Sequence, residues 1–209
     1  MEHARRQYSP LLAVAIGYSL IVVTIWMPRS TQRHLFWFDV AFFLTAAILQ
    51  VRATRFEWPR LRVSLVIAGL GVLVAGSILY LGTILGTVHP LFGRPARLLH
   101  GSTYLIWAIV QQWIQQGFFF TRLEQFLARG WVASFTTASL FGLAHLPNPV
   151  LTPITFVGGF LLSEVFRRYR TVVPLGIAHG LVGLAIALAV PDAINHHMRV
   201  GLGYLMWHG

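Results

Sequence analysis

Four glutamines fall within six residues, at Gln111, Gln112, Gln115 and Gln116, inside an otherwise apolar run. Gln111 and Gln115 are four residues apart, as are Gln112 and Gln116, so on a helix they stack as two neighbouring rows. A side-chain amide both donates and accepts hydrogen bonds, so such rows can bridge helices or orient a ligand. The plainer role is adhesion between helices. Further along, Phe141-Gly142-Leu143-Ala144-His145-Leu146-Pro147-Asn148 places a histidine one helical turn after an aromatic, and His179 stands in a second apolar run with Gly183 one turn beyond it. A neutral imidazole can bind a metal, donate to an oxyanion or relay a proton. A single buried histidine is ordinarily a hydrogen-bonded core residue. Two on separate helices, beside an amide-rich third, point to a site.

Other polar residues have simpler readings. Glu164 lies three and four residues before Arg167 and Arg168, a spacing suited to snorkelling and pairing with Arg168 at the inner interface. The alternative is a buried carboxylate. Asp39 stands alone in an apolar segment and is expected to cap or pair rather than catalyse. His196 and His197 are adjacent in a short tail, either as metal ligands or as part of a polar interfacial segment.

The elements that would position these groups are membrane helices. Of 209 residues, 56% are hydrophobic and 11% charged, with mean hydropathy +0.67. A soluble domain carries about 25% charged residues and could not hide this much apolar surface. The length is that of one domain. Seven spanning segments are expected, each near the ~20 apolar residues a bilayer requires: 10–27, 35–51, 63–85, 104–120, 131–145, 150–166 and 172–190. The fold class expected is therefore an all-α polytopic transmembrane bundle. Residues 1–100 form about three N-terminal helices with their loops, 101–190 a core of about four helices, and 191–209 a short extramembrane tail.

The net charge is +10, and every basic residue is arginine. With the N-terminus inside, eleven arginines fall in inner segments and five in outer ones, the bias expected of cytoplasmic loops. The basic N-terminus before a long apolar run reads as a retained signal anchor. No arginine and aromatic stripe lies on a polar surface, so nucleic acid is not expected as a partner. There is no cysteine, which excludes disulfides and thiolate chemistry.

From about 104 to 190 the chain resembles the CPBP family, the CAAX protease and bacteriocin-processing (Abi) intramembrane proteases. The family pattern is Glu-Glu-x-x-x-Arg-Gly-Phe on one helix, Phe-x-x-x-His on the next, and a later His-x-x-x-Asn. Gln111 and Gln112 fall on the two glutamates, Gln116 on the arginine and Gly117-Phe118 on the Gly-Phe. Phe141 and His145 match the second motif. His179 matches the third, with Gly183 in place of asparagine.

The resemblance implies an intramembrane endopeptidase with catalytic residues Gln111, Gln112, Gln116, His145 and His179, and substrate contacts at Phe141, Asn148 and Gly183. His145 and His179 would polarise the scissile carbonyl or hold a divalent metal such as zinc, and Gln112 would orient the water. An amide takes no proton near neutral pH, so the base must be His145, His179, Glu164 or a metal hydroxide. The alternatives are a catalytically inactive relative that binds a membrane peptide or lipid-modified partner, and an enzyme acting on a lipid or isoprenoid. The implied partners are membrane lipids and a membrane-embedded or lipid-modified peptide substrate. The expected location is the bacterial inner (cytoplasmic) membrane. Gln111 or Gln112, His145 and His179 are expected to converge on one polar cavity, with Glu164 apart from them.

Overall fold

The computed structural model describes residues 2–50, 60–89 and 95–207. The elements run α1 (Glu2–Trp26), α2 (Arg29–Gln50), α3 (Leu61–Ile84) and α4 (Pro95–Gln112). α4 continues without interruption into a π-helical segment (Trp113–Phe120) and α5 (Thr121–Phe126). Then come α6 (Gly130–Leu143), α7 (Leu151–Tyr169) and α8 (Val173–Ala189). Short α9 (Asp192–Asn195), a 3-10 turn (His196–Met198) and α10 (Gly201–Leu205) follow. Among the described residues there is no strand. The expected end of the second span at Val51, and Arg52, Arg55 and Arg94 of the charge count, lie outside the described residues.

The core helices match their expected spans closely, except that the fourth begins earlier and runs further. Proline suits the first turn of a helix, where its missing N–H is no loss, and α4 begins at Pro95. Length and composition do not by themselves establish seven spanning helices. Among the described residues only α3 is by itself long and apolar enough to cross a membrane. α8 passes the same test together with Asp192–Met198, across a bend of 115°. α2 falls short because Arg29, Arg33, His34 and Asp39 dilute it, and α6 because it has only 14 residues. Only 11% of the most apolar stretch of α3 is buried, with Leu65, Val66, Leu70 and Leu73 outward. A helix that apolar and that open calls for an apolar surrounding.

Close packing of α8 on its neighbours organises the second half. A Cβ on Gly176 would stand 2.6 Å from Ile109 Cα of α4, and one on Gly71 of α3 would stand 2.8 Å from Ala178 Cα. Where lipid removes any hydrophobic drive between helices, small residues of this kind let backbones approach and gain dispersion contacts. An aromatic cluster ties the first helices to the π segment, with Phe43 and Phe118 rings 4.9 Å apart and Phe118 and Phe119 5.0 Å apart. Arg170 closes α7 in a left-handed conformation and reaches Glu124 of α5 at 2.6 Å.

The tail after Pro191 folds back over the loop between α6 and α7. Gly201 N–H donates to Leu146 O at 2.7 Å. Asn148 is fully buried and holds both sides of this junction. Its Nδ2 donates to the backbone oxygens of Asn195 (2.9 Å) and Arg199 (3.0 Å), and its Oδ1 accepts the N–H groups of Val150 and Leu151 at the start of α7.

Candidate active site

The π-helical segment buries Gln115 and Gln116 with the phenylalanines after them, and Gln112 is fully buried at its entry. Single π turns inside α-helices recur at functional sites. Here the widened register is marked by Thr121 N–H donating five residues back to Gln116 O. The buried amides form an ordered chain. Gln115 Nε2 donates to Gly159 O of α7 at 3.3 Å. A carbonyl only accepts, so this contact fixes which end of the Gln115 amide points where. Gln115 Oε1 therefore faces Gln112 and accepts from Gln112 Nε2 at 2.8 Å. The second hydrogen of Gln112 Nε2 then points at His179 Nδ1, 3.0 Å away. Gln112 Oε1 accepts from Gln116 Nε2 at 3.2 Å, while Gln116 Oε1 is buried without a partner.

This chain assigns the His179 tautomer. Nδ1 receives a hydrogen bond and must carry the lone pair, so Nε2 carries the hydrogen. His145 is set the other way. Its Nδ1 lies 2.7 Å from Phe141 O, an acceptor, so Nδ1 carries the hydrogen, and in the neutral ring Nε2 carries the lone pair. Phe141 sits edge-on to both imidazoles, with centroids 4.8 Å from His145 and 5.7 Å from His179. The pair thus offers one N–H donor and one basic nitrogen around a single aromatic ring.

Both histidines line a cavity of about 1230 Å³ that α1, α2 and α3 bound opposite the core helices. Gln111, Gln115, Phe141 and Gly183 also face it. The cavity was expected to be polar; it is largely apolar, because the first three helices contribute mostly aliphatic and aromatic side chains. Gln112 and Gln116 do not face it. Gln112 stands behind His179 with both amide hydrogens engaged, so it positions the imidazole where the sequence suggested it would orient water. Asn148, expected to touch substrate, is occupied by the tail and the start of α7.

Gly183 has a neighbour that the sequence did not reveal. A Cβ there would overlap the Tyr104 hydroxyl of α4. The phenol thus fills the space one turn beyond His179 where the family pattern has an asparagine side chain. Tyr104 was not singled out from the sequence, although it lies two turns before Gln111 on the same face of α4. Gln115, seen as one of four amides, is the residue that anchors the chain to α7.

Glu164 lies apart from the histidines, as expected, but pairs with Arg167 at 2.7 Å and not with Arg168; Arg168 turns toward the ring of Tyr169. Its other oxygen accepts from Ser134 Oγ at 2.6 Å. His196 stacks on Tyr204 at 4.0 Å and His197 contacts Asp192 at 2.9 Å, both off the cavity wall.

The donor set does not fit a shared metal. Among the described residues no three His, Cys, Asp or Glu side chains gather in the manner of a metal cage. Binding through His179 Nε2 would also move its hydrogen to Nδ1, against the Gln112 donor.

Residues 93–185 match the family model for "Type II CAAX prenyl endopeptidase Rce1-like". The Rce1-like segment covers the amide chain, both histidines, Gly183 and nearly all of α8. It agrees with the resemblance carried by Gly117-Phe118, Phe141, His145 and His179. At the level of the family this is a membrane-embedded protease group. Comparison with curated proteins and with solved structures gave no match.

Proposed function

We propose that this chain is a CAAX-protease-type intramembrane endopeptidase in which two oppositely protonated histidines do the work that the family pattern assigns in part to glutamates. The observation that carries the reading is the Gly159–Gln115–Gln112–His179 chain, which presents His179 as a donor while His145 keeps a free lone pair. A peptide bond in the cavity places its carbonyl oxygen at His179 Nε2–H. A water gives its proton to His145 Nε2, and its oxygen attacks the carbonyl carbon. The carbonyl electron pair moves onto oxygen, where the His179 donor stabilises it. Collapse breaks the C–N bond, and the departing amine takes the proton from His145.

The largely apolar cavity suits an apolar segment of a membrane-embedded or lipid-modified peptide. The arginine asymmetry supports an N-terminus on the inner side, and we place the protein in the bacterial inner membrane with lipids as its surroundings. A second reading, a relative that binds such a peptide without cutting it, is favoured by the amides at both glutamate positions. The test is cleavage of a synthetic transmembrane peptide by purified protein in detergent. Activity in the parent, lost in His145→Ala and His179→Ala, supports the endopeptidase. Binding without cleavage assigns the second reading.

A further inference from the structure

Asp39 is 9% exposed and lines the same cavity. Thr24 Oγ1 donates to its Oδ2 at 2.7 Å, while Oδ1 is buried without a partner. Two aromatic contacts fix its level. Phe36 packs on Trp107 at 5.5 Å and Phe43 on Phe118 at 4.9 Å, so the turn carrying Asp39 lies alongside the turn carrying Gln111. The rings of Phe36, Trp37 and Trp107 line the cavity too. Among the described residues on its wall there is no arginine and no other carboxylate, although the chain as a whole carries +10. A buried carboxyl group is neutralised either by a proton or by a positive group beside it, and aromatic faces attract cations.

We propose that Asp39 and these rings form a cation site, and that the cavity takes an apolar chain bearing one ammonium or guanidinium group. The apolar walls take the chain, and the unpartnered oxygen of Asp39 takes the charge. The site stands on the cavity and Asp39 alone, so it holds whether or not the histidines hydrolyse peptides. An alkylamine and an apolar peptide with one basic side chain offer the same chemistry.

The experiment uses the full chain in a neutral maltoside detergent, with binding followed by quenching of tryptophan fluorescence. Dodecylammonium is compared with dodecanol, and an apolar peptide containing one arginine with its glutamine counterpart. A charge-assisted hydrogen bond predicts that a cationic member of a pair binds at least about tenfold tighter than its neutral partner. Asp39→Asn should bring the ratio to about one and Asp39→Glu should retain it, with micelle partitioning cancelling between variants. Preference for the alkylammonium alone assigns a lipid-like amine, and preference for the arginine peptide alone assigns a basic peptide. No preference in either pair, or a preference that survives Asp39→Asn, overturns the site. The wild type gives a second readout that needs no variant. Bound dodecylammonium should protect Asp39 from carbodiimide modification, and absence of protection refutes the proposal.

Discussion

Replacing Gln112 by glutamate restores the family residue, yet the hydrogen-bond chain predicts that it damages the site. Gln112 Nε2 donates twice, to Gln115 Oε1 at 2.8 Å and to His179 Nδ1 at 3.0 Å, and Gln112 is fully buried. An ionised glutamate has no donor, and a protonated one has a single donor for two acceptors. His179 can respond by moving its hydrogen to Nδ1. Gln115 cannot turn over without abandoning Gly159 O. At least one buried acceptor is left unmatched, at a cost of about 1–3 kcal/mol, and burial of any carboxylate charge adds to it. At roughly 2–4 °C per kcal/mol for a chain of this length, thermal denaturation in detergent should fall by several degrees. Cleavage of a transmembrane peptide should not rise, because the tautomer change removes the His179 donor from the cavity. A Gln112→Glu variant as stable as the parent would refute the amide chain. One with clearly higher cleavage would identify the parent as an enzyme lacking only its base.

Gly183→Ala should destabilise by about 1–3 kcal/mol, since the new Cβ overlaps the Tyr104 hydroxyl. Combined with Tyr104→Ala its effect should be markedly less than additive, as chemical denaturation would show. Asn148→Ala removes the cap of α7 and the ties to Asn195 and Arg199, costing about 2–5 kcal/mol. Trypsin should then cut after Arg199 faster than in the parent. Glu164→Gln should change stability by less than about 1 kcal/mol, because its partner Arg167 is largely exposed, and should leave cleavage unaltered. Loss of cleavage in that variant would make Glu164 the base.

The core helices were legible because their apolar runs are long and bounded by charged or turn residues, and the two histidines because lipid penalises an unpartnered imidazole. The number of spans was less legible. Apolar content alone does not distinguish α3, largely open to its surroundings, from α8, buried against α3 and α4. The glutamine cluster was legible as a site but not in its division of labour. Periodicity placed Gln111 with Gln115 and Gln112 with Gln116, whereas the hydrogen bonds join Gln112 to both Gln115 and Gln116. Tyr104 escaped notice because its meaning lies in a helix contact. A glycine one turn beyond a site histidine reports that something else occupies that space, and only the packing of α4 on α8 says what. Asn148 read as part of a family motif, and its partners in the tail lie 47 and 51 residues away. Asp39 was expected to cap or pair. It accepts one hydrogen bond from Thr24, and its other oxygen is buried without a partner beside the cavity.

The central claim is that His145 and His179 are held neutral in opposite tautomers. Nitrogen NMR of protein labelled at its histidine side chains, assigned with His145→Gln and His179→Gln variants, measures this directly. The account predicts hydrogen on Nδ1 of His145 and on Nε2 of His179, with the His179 signal changing in Gln112→Glu. The same tautomer at both residues, or a His179 signal unmoved by that substitution, would contradict it.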